Sequence, residues 1–110
     1  MSVSVTYSDI DDTAGGTVVF TASGETAITF ASFTNLNAST AKTVDLYLVP
    51  TSGTAIGDSY AMAKAYSING GDTWQLYAGG EKLLLPDGYT LKAIAESGAT
   101  FTGIISSTTI

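Results

Sequence analysis

Residues 42–50 read KTVDLYLVP, and within them Val44, Leu46 and Leu48 alternate with Thr43, Asp45 and Tyr47 before Pro50 closes the run. Positions two apart share one face of an extended chain, whereas a helix would gather positions three and four apart. Proline has no N–H for a strand ladder, so the strand ends at Pro50. The spacing predicts a half-buried β-strand, and the same period recurs on both sides of it.

Upstream, VSVTYSD (residues 3–9) sets Val3, Val5 and Tyr7 on one face and Ser4 and Thr6 on the other, which predicts a strand with its valines turned inward. GTVVFTA (16–22) and AITFASFTN (27–35) follow, joined by SGET (23–26), which predicts a short hairpin connection. Downstream, residues 51–63 hold Gly53, Gly57 and Asp58 without a sustained period and form the longest expected loop. Any helix is confined to residues 58–65. AKAYSI, TWQLYA, KLLL, YTLKAIAE and TFTGIISS then alternate with the turn segments NGGD, GG, PDG and SGA. Eight or nine short strands at intervals of about 8 to 12 residues predict a single all-β domain over residues 1–110, a sandwich or a barrel.

Composition narrows the function. The 110 residues are 45% hydrophobic and 13% charged, against roughly a quarter charged in an average soluble domain. Ser, Thr, Gly and Ala fill the difference, so a hydroxyl-rich surface is expected. Ten acids face four lysines, with no arginine, for a net charge of -6. That sign opposes nucleic acid, whose affinity comes largely from phosphate neutralisation, and it opposes anionic membranes. No stretch reaches the roughly 20 apolar residues of a membrane span, and MSVSVTYSDIDD lacks the basic and apolar regions of an export signal. The expectation is a soluble, unexported protein.

Histidine and cysteine are both absent, which removes Ser-His-Asp and Cys-His catalysis, nitrogen- or sulfur-ligated zinc, and disulfides. Paired carboxylates would suffice for a glycosidase, but the acids sit in or beside Gly- and Ser-containing turns, where they bond the local backbone. DIDDTAGG (9–16) resembles part of a calcium loop through Asp9, Asp11 and Asp12, yet Thr13 and Ala14 stand where further ligands belong. Neither catalytic residues, cofactor nor metal is expected. Glycine pairs 15–16, 70–71 and 79–80 lack the lysine and helix start of a phosphate loop and are expected in hairpins.

The aromatic residues offer the best candidate contacts. On TWQLYA, Trp74 shares a side with Leu76, while Tyr77 falls with Thr73 and Gln75. Parity thus assigns Trp74 to the core or to a subunit interface, and assigns Tyr47 and Tyr77 to more polar faces where an exposed contact is expected.

The run from KTVDLYLVPTSGTAIGDSYAMAKAYSINGGDTWQL through LLLPDGYTLKAIAESGATFTGIISSTTI resembles small all-β structural proteins of tailed bacteriophage virions. In these a V-x-L-Y-L-V-P strand leads into a Gly-rich loop, an I-x-x-G-D/E-T turn and a closing strand pair with an L-K-A-I-A pattern. The likeness covers about residues 42–110. It implies a jelly-roll-like β-sandwich acting without enzymatic activity as a capsid decoration or cement protein on the virion exterior, made in the host cytoplasm. Its implied partners are the major capsid protein and other copies of itself, as a trimer in preference to a dimer. The alternative is a tail or fibre component that binds a host-surface glycan.

Overall fold

The computed structural model describes residues 3–53, 56–77 and 79–110. Residues 54 and 55 of the expected loop and Ala78 of TWQLYA lie outside the described residues. The alternating segments form nine strands: β1 (Val3–Ile10), β2 (Thr17–Thr21), β3 (Thr26–Asn35), β4 (Lys42–Val49), β5 (Ala61–Ile68), β6 (Thr73–Leu76), β7 (Leu83–Leu85), β8 (Thr90–Ala95) and β9 (Phe101–Thr109). Within residues 58–65, to which the sequence confines any helix, Asp58–Tyr60 form a single 3-10 turn and the strand period takes over at Ala61.

The pairing is nested. β1 runs antiparallel to β9, β2 to β8, β3 to β6 and β7, and β4 to β5. The chain is therefore one long two-stranded ribbon closed at the β4–β5 hairpin. Coiling the ribbon adds β3–β9 and β4–β8 pairs. Sheet A results in the order β1-β9-β3-β6, with β7 also on β3, and sheet B in the order β2-β8-β4-β5. This wrapped order is a jelly-roll sandwich, the fold class expected above.

Among the described residues β4 and β5 are the only consecutive strands that pair, which corrects the turn expectations. SGET carries the chain from sheet B to sheet A, and the glycine pairs 15–16 and 70–71 likewise turn it between sheets. Gly79 and Gly80 join β6 to β7, which lie in succession along β3. Turn residues mark where a strand stops, but the partner of each strand is set by packing across the whole ribbon.

The core lies between the sheets, with Phe33, Phe101, Ile10, Ile28, Leu46 and Ile105 fully buried. Each such side chain contributes about 1.5 to 3 kcal/mol on leaving water. Gly103 on β9 makes room for them, since a Cβ there would lie 3.1 Å from Ile10 Cδ1 and 3.5 Å from the Phe33 ring.

Strand β1 inverts the expected parity. Ile10 is buried and Thr6 and Ser8 half-buried, whereas Val3, Val5 and Tyr7 are 74%, 50% and 72% exposed. Register explains it. Thr6, Ser8 and Ile10 stand opposite Ile105, Gly103 and Phe101, the inward residues of β9. The buried anchors of β9 decide the face of β1, and the valines are left outside.

Candidate assembly interface

The outer face of sheet A is built from four cross-strand rows. Val3, Thr108 and Ala27 form the first, Val5, Ser106 and Phe30 the second. Tyr7, Ile104, Ser32 and Gln75 form the third, and Asp9, Thr102, Thr34 and Thr73 the fourth. Leu84 on β7, opposite Ala27, extends the first row and is exposed. Asp9 is the only charged residue in these rows. The hydroxyls bond locally, as Thr34 Oγ1 and Thr73 Oγ1 do at 2.8 Å and as Thr29 Oγ1 does in donating to the Ser106 carbonyl at 3.4 Å. A depression of about 310 Å³ lined by Ala27, Thr29, Lys82, Thr108, Thr109 and Ile110 adjoins the face. Scattered apolar residues are ordinary on a surface, but a contiguous apolar patch marks a contact surface.

The opposite broad face is covered in part, and Val18 on β2 stays 50% exposed there. The segments 50–53 and 56–60 cross sheet B, with Gly53 against Val49 and Tyr60, and Ile56 close to Gly16 and β8. Tyr47 on this face is only 3% exposed, which corrects its expected role as an exposed contact. Its hydroxyl donates to Asp45 Oδ2 at 3.1 Å and accepts from Lys64 Nζ at 3.0 Å, and the Lys64 ammonium sits 5.5 Å from the ring centroid. Lys64 also reaches Asp58 at 3.2 Å and Asp45 at 3.4 Å. The hydrogen bonds to Tyr47 and Asp58 push its ammonium above the ordinary lysine value. Asp45 accepts a further bond from the Ala65 N–H at 2.7 Å, which stabilises the left-handed turn of Ala65, φ 50°, in the bulged β5. The polar side of KTVDLYLVP is thus a bonded cluster.

At one long side of the sandwich the edges of both sheets meet. Trp74 on β6 stacks on Tyr66 of β5, with centroids 3.9 Å apart and planes 18° apart, and is tilted against Phe33 at 5.8 Å. Trp74 is half-buried on the same side as Leu76, and both pack on the core as parity predicts. A shallow groove of about 240 Å³ runs beside the stack, lined by Ser67, Asn69, Asp72 and Gln75 among others. Tyr77 is half-buried against the core rather than presented outward; its backbone leaves the strand at φ 62°, and burial raises its phenol above the ordinary value.

Several acids are engaged by backbone amides, but of the four that follow only Asp11 bonds its local backbone as the turn reading expects, while Asp12, Asp87 and Glu96 reach amides more than 50 residues away. Asp11 Oδ1 accepts from the Thr13 N–H at 3.0 Å, Asp12 Oδ2 from Gly98 at 2.9 Å, Asp87 Oδ1 from Gly24 at 2.7 Å and Glu96 Oε1 from Thr43 at 2.7 Å. Hydrogen bonds from Thr13, side chain first and backbone second, hold the Asp11 carboxyl below its usual value. Among the described residues no three His, Cys, Asp or Glu side chains are placed to share a metal.

One structural residue gave no signal in the sequence. Asn35, at the end of β3, is 1% exposed; its Nδ2 donates to the Thr40 and Ile68 carbonyls at 3.0 and 2.9 Å, and its Oδ1 accepts from the Asn37 N–H at 2.9 Å. It ties the β3–β4 and β5–β6 connections together. Gly70 belongs to the same junction, because a Cβ there would meet the Ser39 and Thr40 backbone at 2.7 to 2.9 Å.

Fold and surface together define a jelly-roll sandwich with one broad face partly covered by the segments 50–53 and 56–60 and the other open. No protein-family model matches the chain, and no curated protein matches it. Among solved structures, the chain is similar to the structure of infectious bursal disease virus, Gx strain, at 15% identity and a TM-score of 0.48, over 98% of this chain and 33% of that one. It is also similar to the VP2 subviral particle of infectious bursal disease virus, at 12% identity and a TM-score of 0.47, over 96% of this chain and 32% of that one. The chain spans about a third of the length of each. At these identities function must be argued from the chain's own residues.

Proposed function

We propose that the chain is a non-enzymatic virion structural protein, a decoration or cement protein that lays the outer face of sheet A on the major capsid protein and bridges neighbouring subunits. The observation that carries this reading is the open face itself: rows of Val, Tyr, Phe, Ile, Thr and Ser with a single charge, on a protein of net charge -6. Interfaces are depleted of charge at their centre and enriched in aromatic side chains. The broad side of the molecule measures 40 × 28 Å, more than the about 800 Å² per partner of a standard interface. The resemblance of residues 42–110 to phage virion proteins supports the same reading. Many copies attached at once would stabilise a shell through avidity although each contact is modest.

The Tyr66–Trp74 groove favours a second reading, a fibre component that binds a glycan, since an aromatic stack beside Asn69, Asp72 and Gln75 suits a sugar ring. One experiment separates the two. Particles made without the protein are heated while genome release is followed with a DNA-binding dye. The cement role predicts intact particles that release at a lower temperature, with recovery when purified protein is added back. Protein carrying Tyr7→Lys should bind particles roughly thirty-fold more weakly, the effect of losing an interface hot spot of about 2 kcal/mol. An unchanged release temperature with lost adsorption to the host would favour the glycan reading instead.

A further inference from the structure

Edge strands expose unpaired N–H and C=O groups, and proteins protect them by shortness, bulges, prolines or lysines. Three edges of this sandwich are protected. β2 has five residues and a register shift between Val18 and Phe20. β5 has two register shifts against β4, a left-handed residue at Ala65 and a lysine at position 64. β6 and β7 have four and three residues. β1 has none of these devices: it is eight residues long, VSVTYSDI, in unbroken register with β9, and holds no proline, glycine or lysine. Among the described residues its backbone pairs with β9 alone.

We propose that β1 pairs antiparallel with β1 of a second copy, joining two A sheets across a two-fold axis at Val5. The sequence of β1 is complementary to its own reverse in that register. Val5 faces the second copy's Val5, Val3 faces its Tyr7, and Ser4 faces its Thr6. Valine opposite tyrosine and serine opposite threonine are favourable cross-strand pairs. Odd residues meet odd residues, so the outward side of β1 stays outward, and Val3, Val5 and Tyr7 of both copies form one apolar strip. The only charge on β1, Asp9, ends about 27 Å from its image, eight residues away at 3.4 Å each. Like charges are thereby kept apart in a protein of net charge -6. A second copy fits this edge because the strand supplies its own matching pattern and an isologous contact uses the same surface twice. The two open faces then form one continuous surface.

Sedimentation of the purified protein tests this without any virion. The expected species has twice the 11.3 kDa chain mass, and Val5→Lys, which places two ammonium groups face to face on the axis, should return it to monomer with unchanged circular dichroism. Because the chain has no cysteine, Val5→Cys introduces a single thiol, and oxidised glutathione should link it into dimers at least tenfold faster than it links Tyr7→Cys. Residue 7 is the more exposed, 72% against 50%, so random collision would favour it. In the proposed register its image lies about 14 Å away, beyond the roughly 7 Å Cα separation a disulfide spans. A monomeric or trimeric wild type, a dimer that survives Val5→Lys, or equal linking of the two cysteine variants would each overturn the pairing.

Discussion

Asn35→Ala is expected to lower the free energy of unfolding by about 3 to 5 kcal/mol, a large part of the roughly 5 to 15 kcal/mol that holds a domain folded. The substitution leaves the carbonyls of Thr40 and Ile68 and the N–H of Asn37 without their partner. A buried polar group left unpaired costs about 1 to 3 kcal/mol. Ile68 is deeply placed, while Thr40 and Asn37 have some access to water, which keeps the sum below the maximum. Urea unfolding followed by the fluorescence of the single tryptophan measures the change. Asn35→Asp gives a second, signed readout. A carboxylate facing two carbonyls disfavours its charged form, so its folded pKa rises. The folded state then binds the proton more tightly than the unfolded one, so the variant should regain stability as pH falls from the raised folded pKa to the unfolded value of about 4, and gain no more below it. A loss under about 1 kcal/mol for Asn35→Ala would mean that the junction is hydrated and that Asn35 is not its tie.

Trp74→Ala is expected to cost about 2 to 3 kcal/mol. Fully buried tryptophans lose about 3 to 5 kcal/mol on truncation. The half-buried Trp74 ring should lose somewhat less, because it rests on Phe33 inside and Tyr66 outside. Its loss would remove the aromatic contact between the edge strands of the two sheets, so Trp74→Phe should restore most of the stability. A change within about 0.5 kcal/mol, together with loss of a binding partner, would make Trp74 a surface anchor instead.

Much of the fold was legible as period. Every segment with two-residue alternation became a strand, because alternation is the geometry of a pleated chain with one buried side. What alternation cannot carry is which side is buried. In KTVDLYLVP the aliphatic set points inward, but Tyr47 of the polar set is buried as well, bonded to Asp45 and beneath Lys64, although its parity is polar. In VSVTYSDI the aliphatic set points outward because Phe101, Gly103 and Ile105 of β9 fix the register from about a hundred residues away. Ile10 was the one local clue to that parity, since it shares a face with Thr6 and Ser8. The open face and the free edge are both consequences of long-range pairing. Asn35 was illegible for another reason, because an asparagine ending a strand looks like any turn residue until its three backbone partners are seen.

Electron cryo-microscopy of purified particles would show whether the open face of sheet A rests on a capsid shell, as proposed. The expected result is density for the sandwich on the head at many symmetry-related positions, with Val3, Val5, Tyr7 and Ile104 turned toward the shell and the Lys64–Asp58 side toward solvent. Density confined to the tail, or a head-bound sandwich with sheet A facing solvent, would contradict it.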